Sequence, residues 1–125
     1  MLTAWYIDDD QEMLQAVRLL LKMLGYQMRP FLKARDAAKI FQYGERPDLL
    51  ILDVNMPEVS GFDMLEFVRR NPVWQHIPII MLSSEYLPEE MEHAYKLGAD
   101  VYVTKPATID ELEGAIHKAV EKHVH

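Results

Sequence analysis

Cysteine is absent from the 125 residues. That excludes a disulfide scaffold, a thiolate-ligated zinc and a cysteine nucleophile, and it leaves a reducing compartment open to the chain. No apolar run approaches the roughly 20 residues that a membrane-spanning helix needs, and the first residues lack the pattern of a signal peptide. The chain therefore reads as cytoplasmic. Positive charge is in deficit: 13 Lys and Arg face 20 Asp and Glu, for a formal net charge of −7. Such a surface argues against direct binding of nucleic acid or an anionic membrane. Internal repeats, low-complexity tracts and linker-like stretches are missing too, so residues 1–125 read as one domain. Half of the residues are hydrophobic, and a chain of this length buries about two thirds of its unfolded surface.

The stretch Leu49 to Gly61 organises the rest. Leu49, Leu50, Ile51 and Leu52 form an unbroken aliphatic run, as expected of a strand buried on both faces of a parallel sheet. Asp53 closes it. Pro57 lacks a backbone donor and Gly61 is free in conformation, so a loop follows. A carboxylate thus stands at the carboxyl end of a central strand, where open α/β sheets bind their ligands.

Around it the chain alternates. Leu2 to Ile7 reads as a strand ending in Asp8, Asp9 and Asp10. Met13, Val17, Leu20 and Leu24 then recur at helical spacing up to Gly25. Gln27 to Phe31 reads as a strand, and Pro30 inside it points to a sheet edge. Ala34 to Tyr43 reads as a short helix. After Gly61, a helical face of Phe62, Leu65 and Val68 ends near Asn71 and Pro72. Ile79 to Leu82 is a second fully apolar strand, closed by Ser83 and Ser84. A helix opens at Pro88 and stops at Gly98. Val101 to Thr104 is the last strand, and Ile109, Leu112, Ile116 and Val120 mark a closing amphipathic helix. Every strand-to-strand connection is long enough for a parallel crossover. The pattern predicts a doubly wound α/β domain with helices on both faces.

Parallel strands share their carboxyl ends, so Asp8, Asp9, Asp10, Asp53, Ser83 and Lys105 meet at one edge. Neighbouring carboxylates repel, and a divalent cation removes the conflict. Oxygen ligands of this kind suit Mg²⁺. Helix capping is a second reading of the acids, because Asp9 and Glu12 have capping-box spacing. The two readings are compatible.

These residues carry a resemblance. Ile7-Asp8-Asp9-Asp10, Leu50-Ile51-Leu52-Asp53, Met56-Pro57 with Gly61, Pro78 to Ser84, Gly98-Ala99 and Tyr102-Val103-Thr104-Lys105-Pro106 occur in order along the whole chain. Together they make it similar to the receiver domains of two-component response regulators. The resemblance implies a five-stranded parallel sheet in the order 2-1-3-4-5. It implies that Asp53 accepts a phosphoryl group from the phosphohistidine of a sensor kinase or phosphotransfer protein. Asp8 and Asp9 would hold Mg²⁺ with Asp53 and the backbone carbonyl of Asn55, while Asp10 lies beyond that pair. Ser83 would turn toward the new phosphate, Lys105 would pair with it, and Tyr102 would move inward on activation. The Lys105–Pro106 bond would be cis. Ala107 departs from the large apolar residue common in the family, and Asn55 and Glu85 occupy the positions thought to set phosphate lifetime.

The chemistry agrees, since phosphoryl transfer needs mainly an acceptor oxygen, a metal and a cation in place. Such a domain is a signalling phosphoacceptor and not an enzyme. It would act on an output domain or a protein partner, and could dimerise with itself on phosphorylation. The alternative is an aspartate-nucleophile phosphohydrolase. That chemistry wants a second acid two residues after the nucleophile, where this chain has Asn55. A flavodoxin-like cofactor binder would want donors after the first strand, where Asp8 to Asp10 repel phosphate. No DNA-binding or enzymatic module follows Val124 and His125, so the chain is expected to be either a single-domain regulator or a receiver cut from a longer one. His123 and His125 read as solvated terminal residues.

Overall fold

The computed structural model describes residues 2–56 and 58–123; Met1, Pro57, Val124 and His125 lie outside the described residues. Strands and helices alternate as β1 (Leu2–Ile7), α1 (Gln11–Met23), β2 (Tyr26–Phe31), α2 (Ala34–Gln42), β3 (Leu49–Asp53), α3 (Gly61–Arg70), β4 (Ile79–Ser83), α4 (Pro88–Leu97), β5 (Val101–Thr104) and α5 (Ile109–Glu121). The strands pair in parallel in the order β2-β1-β3-β4-β5, the predicted order. Pro30 lies in the edge strand β2, where one side of the backbone makes no ladder bonds.

The alternation of strand side chains builds two cores. Trp5, Ile7, Leu50, Leu52, Ile79 and Met81 face α2, α3 and α4. Ala4, Tyr6, Leu49, Ile51, Ile80 and Leu82 face α1 and α5. Every residue of β3 and β4 is buried, which accounts for their unbroken apolar runs. Among the described residues no helix is long and apolar enough to cross a membrane.

Two details of α1 differ from the sequence reading. Its buried residues are Leu14, Val17 and Leu21, while Met13, Leu20 and Leu24 pack at the flank. The leucine run Leu19 to Leu21 permits either face. The helix is capped by Asp10 and not Asp9: the Asp10 carboxylate accepts from the backbone N–H groups of Glu12 and Met13. In α3, Met64 joins Leu65 and Val68 on the buried face, and Phe62 lies beside it. Ser60 and Asp63 form a reciprocal capping box there, as do Thr108 and Glu111 at α5.

The amino edge of the sheet carries a buried polar network. Asp100 Oδ2 accepts from Arg69 Nη2 at 2.9 Å, from the backbone N–H of Ile79 at 2.8 Å, and from His123 Nε2 at 2.8 Å. Arg69 also donates to the carbonyls of Gly98, Gln75 and Ile77. Gly98 is required twice over: its φ is +109°, and a Cβ there would come within 2.9 Å of Arg69 Cγ. His123 is therefore no solvated terminal residue. Its side chain is 17 % exposed and ties the end of α5 to the start of β5.

Candidate functional site

The opposite, carboxyl edge gathers the predicted residues. Asp8 directly follows β1, with its backbone N–H bonded to the carbonyl of Phe31. Asp53 ends β3, Ser83 ends β4 and Lys105 directly follows β5. The Lys105 backbone N–H donates to the carbonyl of Ser83 at 2.7 Å, locking that turn onto β4. The Lys105–Pro106 peptide bond is cis.

Lys105 joins the two acids. Its Nζ lies 2.7 Å from Asp8 Oδ2 and 3.0 Å from Asp53 Oδ1. Burial works against the lysine's charge, but its bonds to Asp8 and Asp53 outweigh that and raise its pKa. One cation cannot balance the acids around it. Burial pushes the Asp53 carboxyl up from 3.8 to about 6; the Lys105 bond opposes the shift and the charges of Asp8 and Asp9 add to it. Asp8 and Asp53 are buried and Asp9 is exposed. One carboxylate oxygen from each of the three lies within 4.8 Å of the others. Hard oxygen donors, uncompensated negative charge and an open side at Asp9 fit a divalent cation such as Mg²⁺.

Ser83 and Tyr102 meet on one residue. The Ser83 hydroxyl accepts from the backbone N–H of Glu85 at 3.2 Å. The Tyr102 hydroxyl donates to the Glu85 carbonyl and is equally near the Glu90 carboxylate, both at 3.4 Å. Burial raises the pKa of Tyr102, and the Glu90 and Glu85 charges add to this against the opposing bond from Ser83. The ring is turned into the core on the α2–α4 side. Asn55 stands exposed beyond Asp53, and no hydrogen bond among the described residues ties it to the acids.

Two participants were not legible as such in the sequence. Tyr6 is fully buried, and its hydroxyl donates to Asp8 Oδ2. The signal was strand alternation, which puts residues 6 and 8 on one side of β1. Gly61 does not have a positive φ; its role is close approach. A Cβ there would sit 2.1 Å from the Asp53 carbonyl oxygen, and the Gly61 N–H donates to the Val54 carbonyl. The loop after β3 folds back tightly on the backbone of Asp53.

Comparisons with known proteins agree with this geometry. A family model described as the response regulator receiver domain matches residues 5–117. The transcriptional regulatory protein KdpE of Mycobacterium tuberculosis is 35% identical over 118 residues, which cover 94% of this chain and 50% of KdpE. Protein RcaC of Microchaete diplosiphon is 33% identical over 116 residues, 93% of this chain and 18% of RcaC. This chain thus spans half or less of these relatives' length. Among solved structures, Vibrio cholerae chemotaxis protein CheY4 superposes with a TM-score of 0.86 at 29% identity, covering 95% of this chain and 98% of that one. A receiver domain protein from Clostridium thermocellum gives 0.86 at 28%, covering 98% and 96%.

Proposed function

Because this chain belongs to the response regulator receiver family, we propose that Asp53 accepts a phosphoryl group from the phosphohistidine of a sensor kinase or phosphotransfer protein, and that the modified domain then controls an output domain or protein partner. The observation that carries this reading is the bridge of Lys105 between Asp8 and a buried, strand-ending Asp53.

The step is a displacement at phosphorus. An Asp53 oxygen forms the new O–P bond as the donor's N–P bond breaks, and the electron pair leaves with the imidazole nitrogen. The product is an acyl phosphate on Asp53. Asp8, Asp9 and Asp53, with the carbonyl of Asn55, would hold Mg²⁺, whose charge offsets that of the acids and the incoming phosphoryl oxygens. Lys105, already 3.0 Å from Asp53, is placed to pair with the phosphate as a point charge. Asn55 leaves no acid two residues on, so generic phosphomonoesters should not be turned over.

The signal would leave through Glu85. Ser83 and Tyr102 are both bonded to its peptide groups, so a Ser83 hydroxyl drawn to the phosphate disturbs the anchor of Tyr102 and the face of α4, β5 and α5. Bonds to charged groups contribute roughly 1.5–3 kcal/mol each, and reversing a 1:99 population takes about 5.5 kcal/mol. Two bonds made only in the active state supply about 3–6 kcal/mol, which reaches that figure at its upper end; one bond falls short. Ser83→Ala should therefore take up phosphate yet show smaller amide shift changes from Pro88 to Lys105. Coincident spectra of the phosphorylated variant and wild type would exclude that route.

A small phosphodonor with Mg²⁺ should add one phosphate by intact mass, and neither Asp53→Asn nor chelated wild type should gain it. Stoichiometric uptake by Asp53→Asn would refute the assignment.

A further inference from the structure

Asp8 is fully buried and its carboxylate is held by three donors. The backbone N–H of Asp10 bonds Oδ1 at 2.9 Å, while Oδ2 accepts from the Tyr6 hydroxyl and from Lys105 Nζ. The three differ in how firmly they are fixed. Lys105 reaches in on a flexible stem, is 14 % exposed and is shared with Asp53. Tyr6 is 0 % exposed, with its ring set in the core between the sheet and α1 and α5. Its hydroxyl donates to no other described residue. A buried tyrosine needs a partner for its O–H, and here that partner is one of the three acids that could hold a cation.

We propose that Tyr6 is a positioning residue for the cation site, fixing the plane of the Asp8 carboxylate so that its free lone pairs point at the ion shared with Asp9 and Asp53. The proposal rests on the reading of those three acids as a divalent-cation site. With the Asp10 N–H on one oxygen and Tyr6 on the other, the carboxylate cannot rotate, even when Lys105 moves to a phosphate on Asp53. With Tyr6 gone, one fixed bond remains and the group can turn about it. Removing a group that orients a metal ligand commonly weakens metal binding 10–100-fold.

The test is calorimetric titration with Mg²⁺, without any phosphodonor, of wild type, Tyr6→Phe and Tyr26→Phe. Tyr26 lies in the same core but makes no bond to Asp8, so its variant reports on a tyrosine-to-phenylalanine change away from the acids. Amide spectra check that both variants fold. The proposal expects Tyr6→Phe to bind Mg²⁺ about tenfold or more weakly, with Tyr26→Phe like wild type. In wild type carrying ¹³Cζ-labelled tyrosine, the one signal missing from Tyr6→Phe should move as Mg²⁺ saturates. Unchanged or tighter binding by Tyr6→Phe, equal losses in both variants, or a stationary Tyr6 signal would overturn the role of Tyr6. If wild type itself shows no saturable Mg²⁺ binding, the cation site is what fails.

Discussion

The two edges of the sheet hold buried charge in opposite ways. At the amino edge, Asp100 and Arg69 neutralise each other, and Arg69 also donates to three backbone carbonyls. At the carboxyl edge, Lys105 is shared by two buried acids with a third acid beside them. Burial lifts the Asp53 pKa there, whereas the balanced network fastens α3, α4, β4, β5 and α5 together. A satisfied charge cluster is scaffold, and an unsatisfied one is poised for a ligand that completes it. The protein has one of each, at opposite ends of the same strands.

Breaking the balanced edge should have the largest effect. Arg69→Ala leaves Asp100 buried with no guanidinium, and removing one member of a buried pair costs about 3–5 kcal/mol. Urea unfolding checks this; a loss under 1 kcal/mol would mean that the network is not holding the fold.

The unbalanced edge should respond with the other sign. Asp53 has a folded pKa of about 6 against 3.8 in an unfolded reference, so the folded state binds its proton more tightly. Its contribution favours folding below pH 3.8 and is lost as pH rises through about 6. At neutral pH without metal, the ionised group opposes the fold by up to about 3 kcal/mol. Asp53→Asn should therefore be more stable than wild type at pH 7, by about 1–3 kcal/mol once the weakened Lys105 contact is allowed for. The gain should disappear below pH 4. A variant less stable than wild type at pH 7 would contradict the frustrated-charge account.

His123→Ala sharpens the comparison at its weak end. Asp100 keeps Arg69 and the Ile79 N–H, so the loss should be only about 1 kcal/mol. Fraying should be confined to the last turn of α5, read from amide exchange; a loss as large as that of Arg69→Ala would make His123 a full member of the network.

The carboxyl edge was far more legible in the sequence than the amino edge. Leu49 to Asp53 announces a buried strand with an acid at its end, and parallel topology then brings Asp8, Ser83 and Lys105 alongside. Nothing comparable marks Asp100, Arg69 and His123. They meet only because α3, β5 and the end of α5 take particular registers, and pairs 31 and 23 residues apart leave no periodic trace. The α1 face was misplaced because the leucine run offers two candidate faces, and packing against the sheet decides between them. Gly61 looked like a flexible joint, yet what it supplies is the missing Cβ beside the Asp53 carbonyl. Tyr6 looked like ordinary core, and only its hydroxyl distinguishes it.

The most direct test of the charge account is the unfolding free energy of wild type and Asp53→Asn at pH 7 as Mg²⁺ is raised. A ligand that binds only the folded state stabilises it by mass action, by about 2.7 kcal/mol at a hundred times its dissociation constant. Wild type should gain stability steadily with Mg²⁺, and Asp53→Asn, already relieved of the buried charge, should gain much less. Equal gains in the two proteins, or none in wild type, would contradict the claim that uncompensated carboxylates at this edge await a cation.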